Sequence, residues 1–206
     1  MAAGWTRRTF DSDGVTEHPT GPHLQRLRER SGGAVVLALD VSGSMTGDRI
    51  ATAVIGCRRF IDEAVGAGYR VGLTLWHHGV ADSVAPAADP AEARKLLDRA
   101  RTNGGNDLVP CLELAQRQLM AVEAADRVLA VFGDGDLGNR QRSEAKAAEL
   151  SRDGIRILTC GLGEGSAQAL AAVSTEGDER AAPRTASDAT LADSIAAMAR
   201  GLTRGR

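Results

Sequence analysis

Ala34-Val-Val-Leu-Ala-Leu39, running straight into Asp40-Val-Ser-Gly-Ser44, decides the reading of this chain. Six apolar residues without a polar break are what a strand covered on both faces requires, and such strands belong to parallel sheets flanked by helices. The next apolar residues, Ile50, Val54, Cys57, Ile61 and Val65, recur at helical spacing. Strand and helix signals then alternate to the end of the chain. Arg70–Trp76 reads as a second strand, and 79–85 as a short edge strand returning from it. Asp89-Pro-Ala-Glu92 has the form of a helix start, with Asp89 as cap, Pro90 in the first turn and Glu92 reaching back. A helix over 108–122, a strand over 127–132, a helix over 141–152 and a strand over 155–160 follow. After them come a short helix over 166–173, weak strand material at 181–186 and a last helix over 188–202. In that last helix Leu191, Ile195, Met198 and Leu202 form one stripe. The expected fold is therefore α/β: a mostly parallel central sheet of about six strands, one of them a short antiparallel edge strand, with helices on both faces.

The rest of the composition agrees. At 206 residues the chain is sized for one such domain, and 43% hydrophobic with 25% charged residues is ordinary for a globular protein. Wholesale disorder, collagen and coiled coil are excluded. The net charge of −2 lacks the basic excess of a general nucleic-acid binder, and 3% aromatics leaves little for base stacking. Residues 1–33 form a polar, Gly- and Pro-containing tail holding Trp5, Phe10 and a short helical stretch, Leu24–Arg30; residues 34–206 form the domain. Met1–Phe10 contains no apolar core of a signal peptide, and no run is long enough to span a bilayer, so the expectation is a cytoplasmic protein without a membrane partner. Cys57, Cys111 and Cys160 lie in apolar periodic segments and read as buried thiols in a reducing compartment.

In a sheet of this kind ligands bind beyond the carboxyl ends of the strands, where the strand order reverses. The loops there carry Asp40-Val-Ser42-Gly-Ser44, Asn103-Gly-Gly-Asn106-Asp107 and Gly133-Asp134-Gly-Asp136. Carboxylates and hydroxyls without His or Cys are a hard-oxygen donor set, suited to Mg²⁺ or Mn²⁺ and not to zinc or copper. Hydroxyls as direct ligands leave an ion short of negative charge and open to a carboxylate from outside. His77-His78 sits on the same rim, but neighbouring strand residues point to opposite faces and do not readily chelate one ion. Gly161-Leu-Gly-Glu-Gly165 reads as a tight strand-to-helix turn, not a dinucleotide loop, since Glu164 would repel phosphates. Arg200, Arg204 and Arg206 suit the negative end of the last helix.

With these residues in view, the chain resembles the von Willebrand factor type A family and its metal-ion-dependent adhesion site. Asp40-x-Ser42-x-Ser44 and Asp134-Gly135 match the family pattern, as do the Gly47-Asp-Arg-Ile50 helix start and Gly161-Leu-Gly163, and the likeness spans about 34–202. Asn106 stands where the family has Thr; Asp107 is the alternative ligand, and either residue can equally cap the helix that follows. The resemblance implies a non-enzymatic, bacterial protein-interaction module. Its ion, Mg²⁺ (or Mn²⁺ or Ca²⁺), would be held by Asp40, Ser42, Ser44, Asn106 and Asp134 and would take an Asp or Glu from a protein partner. That partner would be an AAA-type ATPase, a kinase, a phosphatase or a defence-system component. The competing reading is a metal-dependent phosphoesterase or phosphoryl-transfer enzyme using Asp40 with Asp134 and Asp136. A third is a structural subunit that binds no metal.

Overall fold

The computed structural model describes residues 32–175 and 184–202. The expected tail up to residue 31, with Trp5, Phe10 and Leu24–Arg30, lies outside the described residues, as do residues 181–183, Arg204 and Arg206. The first strand begins at Gly33, one residue before the apolar run that announces it.

The elements in order are β1 (Gly33–Asp40), α1 (Asp48–Gly66), β2 (Tyr69–Trp76), β3 (Val80–Ala87), α2 (Ala91–Asp98), α3 (Val109–Met120) and β4 (Asp126–Gly133). They continue with α4 (Arg140–Arg152), β5 (Ile155–Leu162), α5 (Glu164–Ala171), β6 (Thr185–Ala186) and α6 (Leu191–Ala197). The six strands form one sheet in the order β3-β2-β1-β4-β5-β6. β1 pairs in parallel with β2 on one side and β4 on the other. β3 alone runs antiparallel, as the expected edge strand. Two register shifts, Pro86 and Asp82 make that edge a poor template for further strands.

All eight residues of β1 are buried, as an apolar run in mid-sheet must be. Alternate residues feed two cores. Val35, Leu37 and Leu39 pack with Cys57, Phe60 and Ile61 of α1, Leu96 and Leu97 of α2, and Leu191 and Ile195 of α6. Ala34, Val36 and Ala38 pack with Cys111, Leu112 and Leu119 of α3, Leu150 of α4 and Leu170 of α5. The helices thus cover both faces, and the C-terminal ends of β1 and β4 stay fixed relative to one another.

Two local readings are corrected. α2 starts one residue later than expected, with Pro90 at its N-cap; Asp89 accepts the Ala91 amide at 3.0 Å from just outside the helix, and Glu92 pairs with Lys95 at 2.7 Å instead of reaching back. The last helix is shorter than its stripe: α6 spans seven residues and passes into a 3₁₀ turn, Met198–Gly201. It starts three residues late because Ser187 and Thr190 close a reciprocal box, Ser187 N–H donating to Thr190 Oγ1 at 3.0 Å and Thr190 N–H to Ser187 Oγ at 3.3 Å. The stripe residues are nonetheless all buried.

The opposite end of the sheet is closed by a polar clamp. Tyr69 Oη lies 2.5 Å from both Asp126 Oδ2 and the Leu202 carbonyl, two acceptors for its single proton. Arg156 donates to both Asp126 oxygens, at 2.9 and 2.6 Å, and to the Gly201 carbonyl at 3.1 Å. Three strands and the end of the last helical turn are tied at one carboxylate.

Candidate metal centre

The strand order reverses between β1 and β4: the chain leaves β1 for β2 on one side and later returns to the other. The loops after these two strands diverge there, and the loop before α3 crosses the gap. The three sequence-predicted loops therefore converge at the carboxyl end of the sheet.

Asp40, the last residue of β1, is wholly buried. Its Oδ1 accepts the Ser42 amide at 2.7 Å and its Oδ2 the Asp134 amide at 3.3 Å, so the carboxylate is held from both sides. Burial pushes its pKa up from 3.8 to about 6; the Ser42 hydrogen bonds oppose the rise and the nearby Asp134 charge adds to it. Gly133 makes the space. A Cβ there would stand 2.9 Å from Asp40 Oδ2 and 3.2 Å from Trp76 Cζ2.

The loop after β1 is not extended, as alternation of its polar residues suggests, but curls into a 3₁₀ turn over Gly43–Met45. The oxygens still converge, by curvature rather than by pleat: Ser42 Oγ and Ser44 Oγ lie 2.9 Å apart, and Ser44 Oγ donates to Asp134 Oδ2. Asn106 Nδ2 stands 3.5 Å from Asp134 Oδ1, and Asn106 Oδ1 is buried without a partner among the described residues. Asp107 takes the other role, accepting the Val109 amide at 3.1 Å at the start of α3. Of the two residues the sequence leaves open, Asp107 is engaged with the Val109 amide, and Asn106 lies beside Asp134. Asp136 turns away, its carboxylate accepting the Gly138 amide at 3.0 Å.

The loop carrying Asn106 is pinned on every side. Asn103 N–H donates to the Val41 carbonyl at 2.8 Å, Gly43 N–H to the Gly104 carbonyl at 3.1 Å and Asp107 N–H to the His77 carbonyl at 2.7 Å. His78 lies against Gly104 and Gly105, where a Cβ on Gly105 would sit 2.7 Å from its ring. The two histidine rings are near-perpendicular with centroids 6.1 Å apart, and His77 Nδ1 accepts the His78 amide at 2.6 Å. This bracing role is invisible in the sequence, where the only signal is a Gly-Gly pair that leaves room for a ring.

Among the described residues no three His, Cys, Asp or Glu side chains gather into a metal cage. What gathers is two carboxylates, two hydroxyls and one amide. That oxygen-rich donor set fits a hard divalent cation. The other candidates go elsewhere. The three thiols are free and buried, Cys111 pushed to about 12 by burial and by the Asp40 charge, Cys160 to about 11 by burial. Gly161 packs where a Cβ would meet Ala167 N at 2.2 Å, so Gly161–Gly165 is the expected tight turn into α5.

A family model described as the von Willebrand factor type A domain matches residues 35–136, which include all five candidate ligands. No curated protein matches the chain in sequence. Among solved structures, the von Willebrand factor domain of the type V pili tip protein Mfa5 from Porphyromonas gingivalis superposes with a TM-score of 0.73 at 15% identity, over 85% of this chain and 96% of that one. BatB from Bacteroides thetaiotaomicron gives 0.60 at 18% identity, over 82% and 100%. A von Willebrand factor type A protein from Catenulispora acidiphila gives 0.65 at 20%, over 82% of this chain and 42% of that one. The stretch 35–136 thus matches the von Willebrand factor type A model, and the six-stranded sheet with its flanking helices has the fold of the solved structures it superposes on.

Proposed function

We propose that this domain is a divalent-cation-dependent protein-interaction module. Asp40, Ser42, Ser44, Asn106 and Asp134 hold the ion, and a partner's Asp or Glu completes its coordination. The observation that carries the reading is the convergence of two hydroxyls on a pair of carboxylates, Ser42 Oγ to Ser44 Oγ at 2.9 Å and Ser44 Oγ onto Asp134, at the reversal point of the sheet. An ion supplies the positive charge that recognises a carboxylate. The protein orients it through the Ser42 and Asp134 amides on Asp40.

The phosphoryl-transfer alternative has less support. It needs Asp136 beside Asp40 and Asp134, and that carboxylate is engaged with the Gly138 amide. We read the chain as non-catalytic and its partner as a protein of a bacterial multi-component system, an AAA-type ATPase, kinase, phosphatase or defence component. No helix among the described residues is long and apolar enough to cross a membrane. The buried free thiols suit the cytoplasm.

Affinity capture tests this. The chain should retain a protein in Mg²⁺ or Mn²⁺, release it on chelation, and fail to retain it as Asp134→Ala. Hydrolysis of a generic phosphate ester that disappears in Asp40→Ala would instead establish the enzyme.

A further inference from the structure

We propose that Asn103 is a self-modifying site: its side-chain amide cyclises onto the Gly104 nitrogen and opens to aspartate or isoaspartate with release of ammonia.

The chain has three asparagines, Asn103, Asn106 and Asn139, and the structure separates them. Asn139 is engaged as the cap of α4, its Oδ1 accepting the Arg142 amide at 3.0 Å. The nitrogen that would attack Asn106 belongs to Asp107, and its N–H is bonded to the His77 carbonyl at 2.7 Å. Asn103 and Gly104 are both exposed. Among the described residues, neither the Asn103 side chain nor the Gly104 N–H makes a hydrogen bond.

Gly104 is also the follower that hinders least. It has no Cβ to screen its nitrogen, and it holds its φ of +57° without steric cost. The bonds that pin this loop engage other atoms. Asn103 N–H is tied to the Val41 carbonyl at 2.8 Å, and the Gly104 carbonyl to Gly43 N–H at 3.1 Å. Between these anchors lie Asn103 ψ and Gly104 φ, the two soft dihedrals that swing the linking peptide and carry its nitrogen to the side chain.

The reaction needs no redox partner and no bound ion. The Gly104 nitrogen bonds to Asn103 Cγ, the Cγ–Nδ2 bond breaks, and Nδ2 leaves as ammonia with the former Gly104 proton. Water then opens the five-membered imide at one of its two carbonyls. Cleavage between Cγ and the Gly104 nitrogen gives aspartate on an unaltered main chain. Cleavage at the main-chain carbonyl gives isoaspartate, whose main chain runs through Cβ and Cγ and is one carbon longer. Either product adds a negative charge beside the loop after β1, and the longer one cannot keep both anchors at their present lengths.

Peptide mapping by mass spectrometry tests this on the full folded chain, incubated at physiological temperature and mildly alkaline pH, with the same chain unfolded in urea as reference. Asn103 should convert within about tenfold of its rate in the unfolded chain, a barrier difference of no more than about 1.4 kcal/mol, while Asn106 and Asn139 stay intact. Asn103→Gln, which would have to close a less favourable six-membered ring, should show no conversion at this position and should melt like the native chain. The isoaspartate form, separated by anion exchange and melted in chelator, should unfold roughly 2–4 °C below the native chain, the loss of about one anchoring hydrogen bond. Conversion of Asn103 more than about tenfold slower in the folded chain, or conversion first at Asn106 or Asn139, overturns the assignment. An isoaspartate form that melts with the native chain overturns the link to the anchors.

Discussion

Replacing Asp40 by Asn should make the metal-free protein more stable at neutral pH while abolishing its response to divalent cations. Asp40 is wholly buried, and its pKa is pushed from 3.8 to about 6 by that burial, against the hydrogen bonds that Ser42 donates. Keeping this group charged costs roughly 3 kcal/mol of folding free energy at any pH above both values. The sign follows from proton counts. Between about pH 4 and 6 the native state holds the Asp40 proton and the unfolded chain does not, so stability falls as pH rises through that window and levels off above it. Asn is neutral throughout. It keeps an acceptor for the Ser42 amide at the Oδ1 position and loses the acceptor for the Asp134 amide at Oδ2, at a cost of about 1 kcal/mol. The net gain near pH 7.5 is then about 2 kcal/mol, or roughly 4–8 °C in melting temperature for a chain of this size. Near pH 4, where the native carboxyl is already protonated, the gain should vanish. Melting curves in chelator at both pH values, for native and Asp40→Asn protein, measure the difference directly. Repeating them with Mn²⁺ should raise the native melting temperature and leave the variant unmoved. A variant less stable than the native chain at both pH values would refute the reasoning that this carboxylate is held charged at a cost.

Three further substitutions probe the frame around the site. Gly133→Ala places a methyl 2.9 Å from Asp40 Oδ2 and 3.2 Å from Trp76 Cζ2, and should cost about 1–3 kcal/mol in denaturant melts and blunt the cation response together. Gly56→Ala, favourable to α1 by itself, brings a Cβ within 2.8 Å of the Ala192 carbonyl and 2.9 Å of Ile195 Cβ; chemical denaturation should show a net loss of about 1–2 kcal/mol, and a gain would mean that α6 yields easily. Asp126→Ala removes the shared acceptor of Tyr69 and Arg156 and should cost about 2 kcal/mol by the same measurement, without altering cation binding at the far end of the sheet.

What could be read from the sequence follows the range of the forces involved. The β1 run, the helical period of α1 and the β4 run are local patterns of burial, and the parallel sheet with its antiparallel edge follows from them. The Asp40, Ser42, Ser44 and Asp134 loops were legible because their residue types are costly to gather without a use. The choice between Asn106 and Asp107 was not legible: it depends on which side chain lies nearer the Val109 amide, a matter of backbone direction in the loop. Nor was the start of α6. The expected start is residue 188, but the Asp188 carboxylate is drawn to Arg49 at 3.0 Å, 139 residues away in sequence, and Ser187 and Thr190 close the turn before the helix begins. The stacking of His78 on the Asn106 loop is likewise a product of tertiary placement, with no periodicity to announce it.

Crystals soaked in manganese and measured for anomalous scattering test the central claim most directly. The account predicts one strong peak between the Asp40 and Asp134 carboxylates, roughly 2.0–2.6 Å from the Ser42 and Ser44 hydroxyls. Well-ordered loops with no anomalous density there would contradict it.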